Sequence, residues 1–196
     1  MTSSAVPGYE FGSPSLARSP VSLDDVATLR ASLLLGDDDV AALRRAREIL
    51  APQTDAILDV WYGFVGDNPH LLAAFSRPDG EPDGDYLAAV RARFGQWILD
   101  TCDARYDQAW LDWQHEIALR HHRTKKNRTD GADAAVIVPF RHLVALTYPI
   151  FATLRPFLEQ GGAEPADLDA MHQAWLKAVL LQVILWSRPY VHDEDF

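Results

Sequence analysis

The sequence is short of several things, and each shortage closes off a class of function. Cys102 is its one cysteine, so the chain can neither close an internal disulfide nor build a cysteine-rich zinc site, and a reducing compartment suits it. The first twenty residues, MTSSAVPGYEFGSPSLARSP, lack the continuous apolar core of a signal peptide and the arginine-rich pattern of an organelle address, which leads us to expect a cytoplasmic protein. The most apolar run, "AVLLQVILW" at 178–186, is broken by Gln182 and falls short of the roughly 20 residues that cross a bilayer. It reads as a buried helix, and no membrane partner is expected. Basic side chains are outnumbered, 18 against 28 acidic, for a net charge of -10. Phosphate repels such a surface, which argues against a nucleic-acid partner. No N-G or D-G turn sits between alternating strands, and no repeat is visible. "PDGEPDG" has the wrong spacing for a phosphate loop, and no nucleophile elbow is present.

What remains is helical period almost throughout, so the fold class is all-α. Ser22 and Asp25 form a capping box ahead of Leu23, Val26, Leu29 and Leu33, and Gly36 closes that segment. A second helix runs from about Asp38 to Leu50. After Pro52, the residues Ile57, Leu58, Trp61, Phe64 and Val65 share a face. A short segment, His70 to Phe75, leads to the loop "RPDGEPDG". Leu87, Val90, Phe94, Trp97 and Ile98 make the next stripe, and Tyr106, Trp110, Trp113 and Ile117 the one after it. The segment 137–159 is expected to be interrupted by Pro149 and Pro156, whereas 166–187 is apolar nearly all round, as a core or subunit-contact helix would be.

The chemistry concentrates in "IALRHHRTKKNR", residues 117–128. At about 100° per residue, His121 lies about 50° from the centre of the Tyr106–Ile117 stripe and His122 about 150° from it. His121 therefore borders the core and His122 faces solvent. Arg120 lies equally close to the stripe on its other side, so the pattern permits an internal His121 as a ligand or as a core-edge residue. A mononuclear zinc site on this helix does not fit. His115 and His121 point about 120° apart, while His115 and His122 are separated by about 10 Å, against zinc bonds near 2 Å. The cations Arg120, Arg123, Lys125, Lys126 and Arg128 suit a helix C-terminus; a nucleic-acid patch is the alternative. Fourteen aromatics of the Phe and Tyr types and six Trp fill a core or wall a flat apolar cofactor, with "WYGF" at 61–64 available for one side.

Taken together, "VPGYEFG", "ILDVWYGFVGDNPHLLAAF", "YLAAVRARFGQWILDTC", "YDQAWLDWQHEIALRHHRTKKNRTDG" and "QAWLKAVLLQVILWSRPY" resemble the protoglobin family, single-domain relatives of the sensor globins, from about residue 6 to the C-terminus. The resemblance implies a globin fold with an additional N-terminal helix. Residues 1–20 would form an extension folding over the haem edge, and 21–196 a single globin domain. It implies haem b, reversible binding of O2, CO and NO at five-coordinate iron, and a homodimer built largely on the last two long helices. By the family's pattern His121 is the iron ligand, Trp61 and Tyr62 the distal pair, Phe75 and Phe94 the distal lining, and Arg93 a neighbour of a haem propionate. Leu146 and Ile150 lie in the haem-facing wall, with Leu146 standing where the family has a bulky aromatic. Two other readings share the same iron site: an enzyme turning over NO, nitrite, peroxide or carbene precursors, and a gas sensor signalling through a separate partner.

Overall fold

The capping box at Ser22 forms as the sequence predicts: the Ser22 hydroxyl accepts from the Asp25 N–H, and the Asp25 carboxylate accepts from the Ser22 N–H. It opens the helix α1 (Leu23–Ser32). The computed structural model describes residues 6–196, so the first five residues of the expected extension lie outside the described residues. Among the described residues the chain then runs through α2 (Asp37–Leu50), α3 (Thr54–Gly66), α4 (Pro69–Leu72), α5 (Gly84–Asp103), α6 (Gln108–His121), α7 (Phe140–Ala145), α8 (Thr147–Gln160) and α9 (Pro165–Ser187). No strand occurs among these residues; a lone bridge, Ser76 to Pro82, closes the loop before α5. The molecule is all-α, as the sequence predicts.

Two details differ from the sequence reading. The break in 137–159 falls at Leu146, not at the prolines. Pro149 sits in the first turn of α8, where N–H groups have no intrahelical partner; what it removes is the bond to the carbonyl of Ala145, four residues earlier, and the ladder parts there. Pro156 is carried inside α8. Phe64 is exposed rather than part of the buried face of α3, which consists of Ile57, Leu58, Trp61 and Val65. It lies about 75° from the centre of that face.

α9 is the axis of the core. It packs against α2, α6 and α8, and its buried residues, among them Met171, Trp175, Val179, Leu181 and Leu185, cover somewhat more than half of its circumference. The remaining strip carries Leu176, Leu180 and Ile184, each only partly buried, so the single chain covers most but not all of the apolar surface of this helix. Its polar interruption is satisfied internally: Gln182 accepts from Trp97 Nε1 at 2.6 Å and donates to Thr101 Oγ1 at 3.1 Å. One turn on, Trp186 Nε1 donates to Gln114 Oε1 at 2.9 Å. These buried bonds fix the rotation of α9 against α5 and α6, because a slip would leave the amides unpaired at a cost of about 1–3 kcal/mol each.

The segment before α1 is laid against α5 and α6 by hydrogen bonds. Tyr9 Oη donates to Asp100 at 2.8 Å, the Ser19 N–H donates to Asp112 at 2.8 Å, Arg120 reaches the Gly8 carbonyl at 2.6 Å, and Arg93 reaches the Pro7 carbonyl at 3.3 Å. Gly8 has φ +73, and a Cβ there would meet Thr129 Cγ2 at 2.8 Å and an Arg93 nitrogen at 2.9 Å. Only glycine lets the backbone come this close.

Candidate cofactor cavity

The helices enclose a cavity of about 390 Å³, within the range of ~300–1,000 Å³ usual for small-molecule sites. All eight residues singled out from the sequence line it: Trp61, Tyr62, Phe75, Arg93, Phe94, His121, Leu146 and Ile150. One wall is a cluster in which buried Trp61, Val65 and Leu71 carry Tyr62, Phe75, Phe94, Leu146 and Ile150 packed against them. Its rings meet edge to face, Trp61 with Phe94 at 5.6 Å and 71°, and Tyr62 with Phe75 at 6.5 Å and 62°. Such edge contacts hold the wall rigid. Burial raises the pKa of the Tyr62 phenol well above its ordinary value. It therefore stays protonated at neutral pH, and its hydroxyl has no hydrogen-bond partner among the described residues.

The last turn of α6 supplies His121. Its Nδ1 lies 2.9 Å from the Ile117 carbonyl, one helical turn back. A carbonyl can only accept, so Nδ1 carries the proton and Nε2 is left with its lone pair. The ring stacks on Trp186 of α9, centroids 5.3 Å apart and planes 22° apart. Burial lowers its pKa to about 4, so the imidazole is a neutral base at physiological pH. His122 is turned elsewhere: its Nδ1 lies 2.7 Å from Thr124 Oγ1 and its ring meets Tyr190 edge-on at 5.0 Å.

The basic run is drawn inward more than a solvated helix end would be. Arg120 pairs with Glu116 at 2.9 Å and with Glu10, and its guanidinium lies 5.1 Å from the Trp113 ring. Lys125 pairs with the same Glu116. Those two cations hold the Glu116 carboxyl below the usual carboxylate range against the opposing effect of its burial. Arg93 is held by Asp130 through two bonds, at 2.9 and 2.6 Å. Lys126 is buried, 7% exposed, with its Nζ donating to the Ala74 carbonyl at 3.1 Å, Tyr86 Oη at 2.8 Å and Asn127 Oδ1 at 2.7 Å.

Sequence reasoning did not find the cavity roles of Lys126, Tyr86, Ile117 or Trp186. Lys126 looked like one cation among five, and the turn that carries it inward is marked only by Asn127, whose φ is +72. Asparagine adopts that left-handed conformation more readily than most residues.

No group of three or more His, Cys, Asp or Glu side chains able to hold a metal ion occurs among the described residues. A metal at His121 would need its other ligands from a planar chelate, and a flat aromatic cavity beside a single unprotonated imidazole fits a haem in that respect. No helix among the described residues is long and apolar enough to cross a membrane. Among curated proteins nothing matches the chain. The family model described as Protoglobin matches residues 22–196, a span that takes in every helix from α1 to α9. The chain belongs to the protoglobin family of haem globins.

Proposed function

We propose that this cytoplasmic protein holds haem b in the cavity through His121 Nε2 and binds the diatomic gases O2, CO and NO reversibly. The observation that carries the reading is the 2.9 Å contact of the His121 Nδ1 with the Ile117 carbonyl. The Nδ1 proton is committed to the Ile117 carbonyl, so the lone pair belongs to Nε2, and the ring borders a cavity walled by Trp61, Tyr62, Phe75, Phe94, Leu146 and Ile150. A second-sphere hydrogen bond of this kind orients an imidazole ligand and raises its basicity. Bound haem would supply an iron with one open coordination position for a gas.

The chain's own residues shape what reaches that position. The aromatic wall excludes water. Tyr62 offers the cavity a protonated hydroxyl, and Arg93 stands at the polar edge with its charge shared by Asp130, beside the place proposed for a propionate. A homodimer is supported by an exposed apolar stripe at i, i+4, i+8 spacing through α7 and α8: Phe140, Val144 at 51% exposure and Tyr148 at 72%. On α9 the partly exposed Leu176, Leu180 and Ile184 form a second apolar strip at the same spacing, so the last two long helices both offer apolar surface to such a contact.

Absorption spectroscopy of the purified protein reconstituted with haem tests the reading. A Soret band that shifts on reduction and again on CO addition is expected, with His121→Ala losing the five-coordinate ferrous spectrum. Absence of a Soret band in the wild-type chain, or an unchanged spectrum in the variant, would overturn it.

A further inference from the structure

The cations around the cavity are not equivalent. Arg93, Arg120 and Lys125 each have a carboxylate of their own, respectively Asp130, Glu10 with Glu116, and Glu116. Lys126 has none among the described residues. Its three partners are a backbone carbonyl, a phenol and a side-chain amide, all of them neutral. Hydrogen bonds of that kind hold the ammonium in place, but they do not neutralise a charge taken out of water, which is costly unless an anion accompanies it. Asp130, the nearest acid to act on it, lies beyond ion-pairing distance and is engaged by Arg93.

Tyr86 completes the arrangement. Its oxygen accepts from Lys126, and its own proton has no acceptor among the described residues. The phenol is buried, and burial pushes its pKa up to about 12, so the proton stays on. Both residues line the cavity. Such a pair presents an unneutralised positive charge and a free O–H donor together, the combination that recognises a carboxylate.

We infer that Lys126 and Tyr86 form the carboxylate-binding end of the cavity, Tyr86 donating directly to a carboxylate oxygen and Lys126 serving as its counter-ion. The inference rests on the haem reading, since a haem carries its two carboxylates on one edge; it adds that this lysine and tyrosine, and not only Arg93, receive one of them. A carboxylate at this point would also tie the ligand to Ala74 and Asn127 through the same ammonium, linking the segment before α5 to the loop after α6.

The test compares haem with its dimethyl ester, which has the same ring and iron but no carboxylate charge. Loss of each from the protein is followed by transfer to an apoglobin acceptor, in the wild type, Lys126→Met and Tyr86→Phe. Both variants are expected to release haem about tenfold faster or more, as for a lost hydrogen bond to a charged group, while releasing the dimethyl ester at the wild-type rate. Acceleration of both ligands alike would mean a purely structural role and would overturn the inference, as would no acceleration of either. Tyr86→Phe carries the test if Lys126→Met does not fold. A wild-type chain that takes up neither ligand would defeat the haem reading itself, and is told apart by the missing Soret band.

Discussion

The His121 ring stacks on Trp186, centroids 5.3 Å apart, and the indole Nε1 of Trp186 donates in turn to Gln114, which lies two turns before His121 on the same helix. The orientation of the proposed ligand is therefore set from two sides, by its own helix through Ile117 and by α9 through Trp186. Trp186→Phe would keep an aromatic ring under His121 but strand the buried Gln114 oxygen. It is expected to cost about 1–3 kcal/mol of stability, read as a lower denaturant midpoint at unchanged slope, and to broaden the haem spectrum through a less constrained imidazole.

Tyr62 has the one protonated hydroxyl in the Trp61–Val65–Leu71 cluster and no partner for it among the described residues. Tyr62→Phe should leave unfolding within about 0.5 kcal/mol of wild type. O2 release should quicken about tenfold while CO release stays the same, because CO gains much less from a hydrogen-bond donor. Stopped-flow release rates for the two gases decide it; equal changes for both would remove Tyr62 as a donor.

Leu146 packs against the Trp61–Val65–Leu71 cluster and borders the cavity. Leu146→Phe is expected to fill space on that wall, so affinity for a bulky ligand such as butyl isocyanide should fall more than affinity for methyl isocyanide. If the two fall together, the residue does not set the size of the site.

His172 supplies a pH dependence. It is buried, its ring lies over Phe151 with centroids 3.8 Å apart, and its Nε2 donates to the Phe151 carbonyl at 2.8 Å. Burial lowers its pKa, more than that hydrogen bond restores. The unfolded chain takes up this proton near pH 6.5 and the folded chain only at lower pH, so stability is retained above about 6.5 and declines as the pH falls below it. His121 acts in the same direction, down to about pH 4. Thermal unfolding of the cofactor-free protein at pH 7.5 and 5 should show a drop that His172→Gln reduces, since glutamine keeps the donor and removes the titration.

How far the sequence carried can be seen at particular residues. Helical spacing turned His121 toward the core side and His122 away, and the structure places the first on the cavity and the second against Tyr190. The stripe through Trp61 was legible because a 3.6-residue period is a local property. The identity of the cofactor was not, since an aromatic core and a cofactor wall draw on the same residues; the family motifs supplied it. Lys126 was illegible for a different reason. Its burial depends on Ala74 and Tyr86 arriving from elsewhere in the chain, and no local pattern separates it from the paired or exposed cations around it. The shift of the helix break to Leu146 was available in principle, because a proline disrupts the bond of the residue four before it.

The N-terminal segment crosses the polar edge of the cavity through Pro7, Gly8, Tyr9 and Glu10, which are tied to three helix side chains, Arg93, Arg120 and Asp100. Those ties concern the order of events during synthesis. They join the beginning of the chain to α5 and α6, so they form only after the middle of the chain has been made. A cofactor that arrives before they form meets an open edge; one that arrives later must wait for several bonds to break together. On the proposed reading, the share of molecules that become loaded would then depend on timing, the supply of cofactor against the rate at which the segment docks, as well as on the strength of the proposed bond from His121 to iron.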